Sequence, residues 1–449
     1  MSTNTREQLA ELSKSDERLT GELENKTIKW MSDWDINSDD TGKTTPIELA
    51  VFQERYGGQI EFHQTTYGAR YDNLANAINS DEGIDFFYGG NWDAFPKGAV
   101  RGMFVPYDDY IDLDSDLWKD VKAANDAMVW NDKHYMAIVE VTGDQCAVIY
   151  NRKTMDENGL DDPAELFEKG KWDWDAFMDM MKTFVSNAKD GETRYGINGW
   201  FGQAMVQSTG ETFVKYDGSK FSNNISNPAI EEAEGVMEEI MSLGLYDPTW
   251  YGYLPDDGST LFFGMADWAL GASNVKADPN PDYEDDGFVE ENDLMIVPFP
   301  KQPGSDEYYL NCNFGAKMLV KNSDKGDAVA AYIKCERLAA MIDEYKDAAK
   351  EKAIIPEVNA QGKLKSYVTE EQYDALQDYK DPKNITPVFD FGYGMGSRMY
   401  GDGEYTYETR GVMNNLTSAL LNGDKDSWAV LRDEWSSVID EVIDGYNNK

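Results

Sequence analysis

Strands and helices alternate through the first part of the chain, and this alternation restricts the fold more than any other feature. Thr27-Ile28-Lys29-Trp30-Met31 reads as a short strand. Thr45-Pro46 suits an N-cap with proline at the first helical position. Ile47, Val51 and Glu54 follow at helical spacing, up to a stop at Tyr56-Gly57-Gly58. Gln59 to Gln64 alternates as a strand, Arg70 to Ser80 reads as a helix, and Ile84 to Tyr88 as a buried strand. Strands separated by helices imply a mostly parallel sheet with helices on both faces.

At 449 residues the chain exceeds one comfortable core, so two domains are expected. The stretch from Asn131 to Phe184 reads as a crossing between them. A short apolar run from Gln145 to Tyr150 leads into a helical segment, a turn at Asn158-Gly159-Leu160 and an acidic loop. Trp172-Asp173-Trp174 then opens another helix, where both tryptophans read as packing residues. Further on, Asn227-Pro228 opens a helix to about Leu243, Gly264 to Ser273 reads as a strand, and Leu294 to Phe299 and Asn313 to Val320 as two more. A helix is expected from about Asp327 to Met341, and two helices after Tyr405, split by Asn422-Gly423-Asp424. Asp278 to Asp293 reads as a surface insertion, and residues 1–24 as a partly helical tether.

Charge removes several classes of partner. With 84 acidic against 41 basic residues the net charge is −43, which leaves no basic footprint for nucleic acid or for an anionic membrane surface. Cys146, Cys312 and Cys335 make no disulfide framework, and a bridge between Cys146 and Cys312 stays open. No apolar run approaches the ~18 residues that span a bilayer, and the first 24 residues lack a signal-peptide core. A mature chain whose export signal had been removed would read the same way. Asp112-Asp114-Asp116 begins like a calcium loop, but Leu117 and Ala123 replace the glycine and glutamate that loop needs, so it reads as a helix-capping turn. Gly392-Gly394-Gly396 follows no βα unit of the phosphate-binding kind. His63 and His134 are isolated, and no metal or cofactor is expected.

The order of these elements resembles the extracellular solute-binding proteins of ABC importers, in the branch that includes maltose-binding protein. The segments that carry the resemblance are IKWMSDWD, IDFFY with Asn91-Trp92-Asp93 after it, GAVRGMFVPYDDYI, the Asn131–Phe184 stretch, GMADW, LMIVPFPKQPG and NCNFGAKMLVKNSDKGDAVAAYIK. Asp132 and Ile138 depart from the family's usual Gly and Pro, and AELFEKG is an insert before Trp172. The resemblance implies an α/β, two-lobed periplasmic-binding-protein-like fold, each lobe a mostly parallel sheet flanked by helices, joined by hinge strands. The division expected is residues 25–145 and 295–314 in one lobe, 146–294 and 315–449 in the other. Hinges are expected near Cys146–Ile149, Asp293–Ile296 and Cys312–Gly315.

The function implied is hinge closure on an oligosaccharide and its delivery to ABC transporter membrane subunits. The protein would be a non-enzymatic, monomeric lipoprotein on the outer face of the cell membrane, or periplasmic where an outer membrane exists. Two alternatives stay open. The same fold could take a peptide, polyamine or other small molecule, or the many carboxylates could hide the pair a glycoside hydrolase needs.

Sugar recognition needs flat apolar faces and planar polar groups on loops. Trp34 and Trp92 follow first-lobe strands, with Asp35, Asn91 and Asp93 beside them. The resemblance places Asp144 at the cleft floor and Trp268 on a sugar-stacking strand. Trp200, Trp250 and Tyr251 lie on turns, where cleft lining and core packing are both open. Phe391, Tyr393 and Arg398 lie on a glycine-rich loop, where an arginine suits bidentate hydrogen bonding.

Overall fold

The computed structural model describes residues 3–37, 45–89, 94–142, 147–277, 293–358, 363–381, 383–401 and 406–448. Two sheets organise them. In the first, the strand order is Gln59–Gln64, Thr27–Ser32, Phe86–Tyr88, Asn313–Val320, Phe104–Val105, and Ala137–Thr142 also pairs with Asn313–Val320. The pairings leave Asn313–Val320 as the antiparallel member among parallel strands. In the second, the order is Tyr246–Asp247, Tyr195–Gly199, Thr260–Met265, Ala147–Asn151, Leu294–Pro298, with Ala147–Asn151 antiparallel. The fold is therefore two-lobed, each lobe built on a mostly parallel sheet.

Side-chain alternation divides the first sheet between two packing layers. Ile28, Trp30 and Phe86 are buried with helices Ile47–Tyr56 and Gly326–Met341, whereas Met31 and Phe87 face the layer that holds Leu74 and Ala77 of helix Arg70–Ser80. The second sheet is covered by helices Trp174–Ser186 and Pro228–Ser242, whose buried stripes include Phe177, Met181, Ile230 and Met237. Trp172 and Trp174 are core residues, as expected. Their indole nitrogens donate to the carbonyl of Pro298 at 2.8 Å and to Ser208 Oγ at 3.0 Å.

Three expectations change. Leu294–Pro298 pairs with Ala147–Asn151 in the second sheet. Asn313–Val320 lies in the first, and helices Gly326–Met341 and Asp343–Ala353 follow it there, packing together and against Ile47–Tyr56. The boundaries drawn at 294/295 and 314/315 therefore do not match the pairing. Strand propensity identified the two strands, but only long-range register tells which sheet each joins. The expected tether carries its helix, Thr3–Ser15, as read, but this helix docks on Ile47–Tyr56 instead of hanging free. Leu9 and Leu19 are buried there, and Arg55 and Tyr56 bind the carbonyls of Leu19 and Thr20. Gly264 to Ser273 is not one strand. The strand Thr260–Met265 ends first, and Trp268–Ala277 is a helix whose opening turn bonds run from Ala269 and Leu270 back to Ala266 and Asp267. The expected insertion at 278–293, apart from Asp293, and Cys146 lie outside the described residues. Cys312 and Cys335 are buried free thiols.

Glu234 is the least comfortable charge in the second core. It is 0% exposed and neither carboxylate oxygen has a hydrogen-bond partner. Burial, with Glu238 nearby, raises its pKa well above the usual carboxylate value. A raised folded pKa stabilises below the unfolded value of about 4.3, and that contribution is lost as pH rises, by about 1.4 kcal/mol per unit until the folded pKa is reached. We therefore expect Glu234→Gln to melt close to the parent near the unfolded pKa and progressively above it toward neutral pH. Thermal melts at stepped pH check this, and a gap that stays constant or narrows contradicts it.

Candidate ligand cleft

The two sheets meet edge to edge. Ala137–Thr142 runs parallel to the other forward strands of the first sheet, so Thr142 lies on the same edge as Ser32, Gln64 and Tyr88. Ala147 pairs with Met265 and Pro298, which places it on the carboxyl edge of the second sheet. Only residues 143–146 separate Thr142 from Ala147, so the two edges are held within about 18 Å at this point. The chain returns from Pro298 to Asn313, which pairs with Thr142 at the same edge. Loops at strand carboxyl ends are where open α/β sheets carry ligands, and here two such sets face each other.

The second sheet presents aromatic rings along this edge. Trp200 follows Gly199 directly and is 52% exposed; Trp250 is 48% exposed, and the two rings stack with centroids 4.8 Å apart at 27°. Their supports are rigid. Gly199 has φ +109°, and a side chain there would meet the Gly264 carbonyl oxygen at 2.2 Å, so only glycine lets this strand end lie so close to its neighbour. Asn198 is buried and donates to the carbonyls of Asp247 (2.9 Å) and Thr249 (2.6 Å), fixing the turn that delivers Trp250. Tyr251 beside it is also exposed, and Trp268, 54% exposed, opens the helix after the next strand. Asp267 is paired with Lys380 at 2.6 Å.

On the first sheet Trp34 is exposed, standing edge-on to Tyr88 (5.0 Å, 80°) and Trp30 (5.7 Å, 69°), while the Trp30 indole donates to the Trp34 carbonyl at 3.1 Å. Asp35 is engaged in its own loop, where its Oδ1 accepts from the Asn37 backbone and side-chain amides at 2.9 Å. Asn91, Trp92, Asp93 and Asp144 lie outside the described residues. Phe391 and Tyr393 depart from expectation, because both are buried. Phe391 packs against Phe95, Tyr216 and Phe221, and Tyr393 against Tyr400. The pull inward comes from Asp390. Its carboxylate, pushed up to about 7 by burial, accepts from the amides of Phe213, Val214 and Gly392 and draws the loop down. Arg398 is exposed and ion-paired with Glu441 at 3.0 Å.

Three residues at this edge were not singled out from sequence. Asp33 Oδ1 is buried beside Trp34 without a hydrogen-bond partner. Tyr67, half exposed, places its hydroxyl 3.5 Å from that of Tyr400. Glu140 lies opposite Gly315, where a side chain would come within 3.3 Å of its Oε1. It is exposed, yet surrounding protein raises its pKa against the opposing pull of Lys380 and Lys317. A group both wetted and crowded is what a concave site produces. Nothing in the SDWD run marks Asp33, because residues two apart in an extended segment share a face. Nothing local marks Tyr67 or Glu140. Among the described residues no three His, Cys, Asp or Glu side chains group as a metal site, and no helix is long and apolar enough to cross a membrane.

Residues 36–335, more than half of the chain, match the family described as bacterial extracellular solute-binding protein. The chain belongs to that family, one of solute-binding proteins rather than enzymes. Its architecture is shared with solved structures at low sequence identity. The cyclic alpha-maltosyl-1,6-maltose binding protein from Arthrobacter globiformis aligns with a TM-score of 0.66 at 15% identity, over 94% of this chain and 99% of that one. A sugar transporter from Rhizobium etli in an open conformation gives 0.63 at 15%, over 93% and 99%. The GacH receptor of Streptomyces glaucescens, solved unliganded and with acarbose, gives 0.59 at 14%, over 93% and 98%. A comparison with curated protein sequences found no match.

The stacked indoles allow a test without any ligand. Trp200→Phe and Trp250→Phe should each abolish the coupled-tryptophan couplet in circular dichroism while shifting stability by no more than about 0.5 kcal/mol, as for surface substitutions generally. An unchanged couplet in both variants would contradict the stacking.

Proposed function

We propose that this protein is the carbohydrate-binding component of an ABC importer, closing on an oligosaccharide between its two sheet edges. The observation that carries this reading is the row of exposed indoles. Trp250, Trp200 and Trp268 follow three adjacent strands, which lie about 4.8 Å apart. They line an edge of roughly 10 Å, with Trp34 on the facing edge. Large apolar faces left in water at a rigid, concave edge gain stability when covered, and the C–H faces of sugar rings cover them while hydroxyls stay hydrogen-bonded. The solved structures that share the fold support it, since they are described as a cyclic alpha-maltosyl-1,6-maltose binding protein, a receptor in complex with acarbose and a sugar transporter.

Closure is a population shift. A ligand that touches both edges binds the closed form better than the open one and draws the equilibrium toward it. The proposed setting is the outer face of the cell membrane, where a lipid-anchored monomer hands its sugar to the transporter's membrane subunits. A peptide or polyamine ligand is the competing reading, with Glu140 and Asp33 as its anionic contacts.

A thermal-shift panel of mono- and oligosaccharides, peptides and polyamines decides between them. A ligand at 100 times its Kd adds about 2.7 kcal/mol of stability. The proposal expects oligosaccharides to raise Tm; silence from every sugar with a response to a peptide or polyamine overturns it. With the responding sugar, Trp268→Ala and Trp34→Ala should each weaken calorimetric affinity by about 2- to 12-fold, the loss of one stacked ring. Unchanged affinity in both variants removes these residues from the site.

A further inference from the structure

Among the described residues three arginines are buried: Arg70, Arg337 and Arg410. Arg337 is ion-paired with Asp120 and also reaches the carbonyls of Leu117 (2.7 Å) and Val139 (2.6 Å). Arg410 is ion-paired with Asp424 and bonds Asn415 Oδ1 at 2.6 Å. Arg70 is 7% exposed, and among the described residues no carboxylate lies within ion-pair distance of it. Its Nη1 donates to the Tyr67 carbonyl, while its Nε is buried without a partner. Removing a charge from water costs several kcal/mol unless an opposite charge answers it. In a chain with 84 acidic and 41 basic residues, carboxylates are abundant, yet among the described residues none pairs with Arg70.

What surrounds Arg70 holds the guanidinium flat rather than neutralising it. Its Cζ lies 3.7 Å from the centroid of the Tyr67 ring and 5.0 Å from that of Tyr71. Lys97 Nζ approaches the Tyr71 ring at 5.4 Å. The location is the carboxyl edge of the first sheet, since helix Arg70–Ser80 follows the strand that ends at Gln64. Its N-cap, Ala69, supplies no side-chain cap, and the exposed Asp72 in the first turn offsets part of the positive potential of the first amides. Tyr67 in turn reaches Tyr400 of the second lobe, so the group lies where the two lobes come together.

We propose that Arg70 receives an anionic substituent of the ligand, a carboxylate or a sulfate, and that the natural ligand is an acidic oligosaccharide. This rests on the carbohydrate reading above and narrows it. A guanidinium presents parallel N–H donors that match two oxygens of such a group, and the tyrosine rings fix its plane. Elsewhere the strongly negative chain would repel an anion. A buried guanidinium that no described carboxylate answers overcomes that at short range, and the neutral part of the ligand rests on the indole row.

The test uses the full chain and matched ligand pairs that differ only in charge. Uronate oligosaccharides are compared with their methyl esters, and sulfated oligosaccharides with their desulfated forms, by calorimetry. The inference expects the anionic member of one pair to bind about ten-fold tighter or more, and Arg70→Gln to remove that preference while the neutral member still binds. Arg70→Lys, which keeps the charge but loses the fork, should retain only part of it. The comparison on the parent protein stands even if a variant folds poorly. Equal or weaker binding of the anionic members, alongside clear binding of neutral sugars, overturns this inference and leaves the carbohydrate reading intact. Failure of every sugar, neutral and acidic, overturns both.

Discussion

The structure depends on the short crossing between Thr142 and Ala147. Those residues end one strand and begin another in different sheets, and both sit on carboxyl edges. Any chain that links two sheets this way must turn their loop-bearing edges toward each other. The return from Pro298 to Asn313 repeats the constraint, and the parallel pairing of Tyr309–Asn311 with Thr386–Val388 adds a third connection beside it. The cleft follows from these links and needs no further design. Its residues need only lie at strand ends, where they are free of the core's packing demands.

Rigidity on either side of the crossing makes a hinge useful, because only a stiff lobe carries its ligand contacts as a unit. The second lobe gains it from the packed rings of Trp172, Phe177, Phe262 and Phe299, and further rings tie it to the first. Trp130, from the short hairpin that follows the first-lobe helices, stacks on Tyr216 and Phe221, and Tyr216 donates to the Val129 carbonyl at 2.8 Å. Phe391 joins the same cluster. A ring expected to greet the ligand therefore does something different, fastening the glycine-rich segment to the body of the protein. The first lobe gains stiffness from its buried Arg337 and from the Lys317–Glu336 pair, where burial pushes the glutamate up to about 7 against the pull of the lysine.

Periodicity was a good guide wherever a single element decides its own conformation. Gln59–Gln64, Arg70–Ser80 and Asn313–Val320 appear with the bounds read from their patterns. The packing role of Trp172 and Trp174 was legible because they flank the N-cap, Asp173, of a single helix with an apolar stripe behind it. The failures share one cause, dependence on distant partners. Leu294–Pro298 is a strand on any reading, but its sheet is decided by register with Ala147–Asn151. Phe391 and Tyr393 look available on a glycine-rich loop until Asp390 is seen to bond the amides of Phe213 and Val214. Trp34 could be chosen from the sequence as a loop residue after a strand, Trp200 and Trp250 only as turn residues with core packing equally open, and Trp268 only through the family resemblance. That Trp200 and Trp250 stack, and that Glu140 and Arg70 lie at the same edges, requires the folded chain.

A crystal structure of the protein with a bound oligosaccharide tests the central claim most directly. The account predicts sugar rings between the two carboxyl edges, stacked on at least one of Trp200, Trp250 and Trp268 and touching the Trp34 edge of the other lobe. A sugar held on one lobe only, or away from both edges, would contradict it.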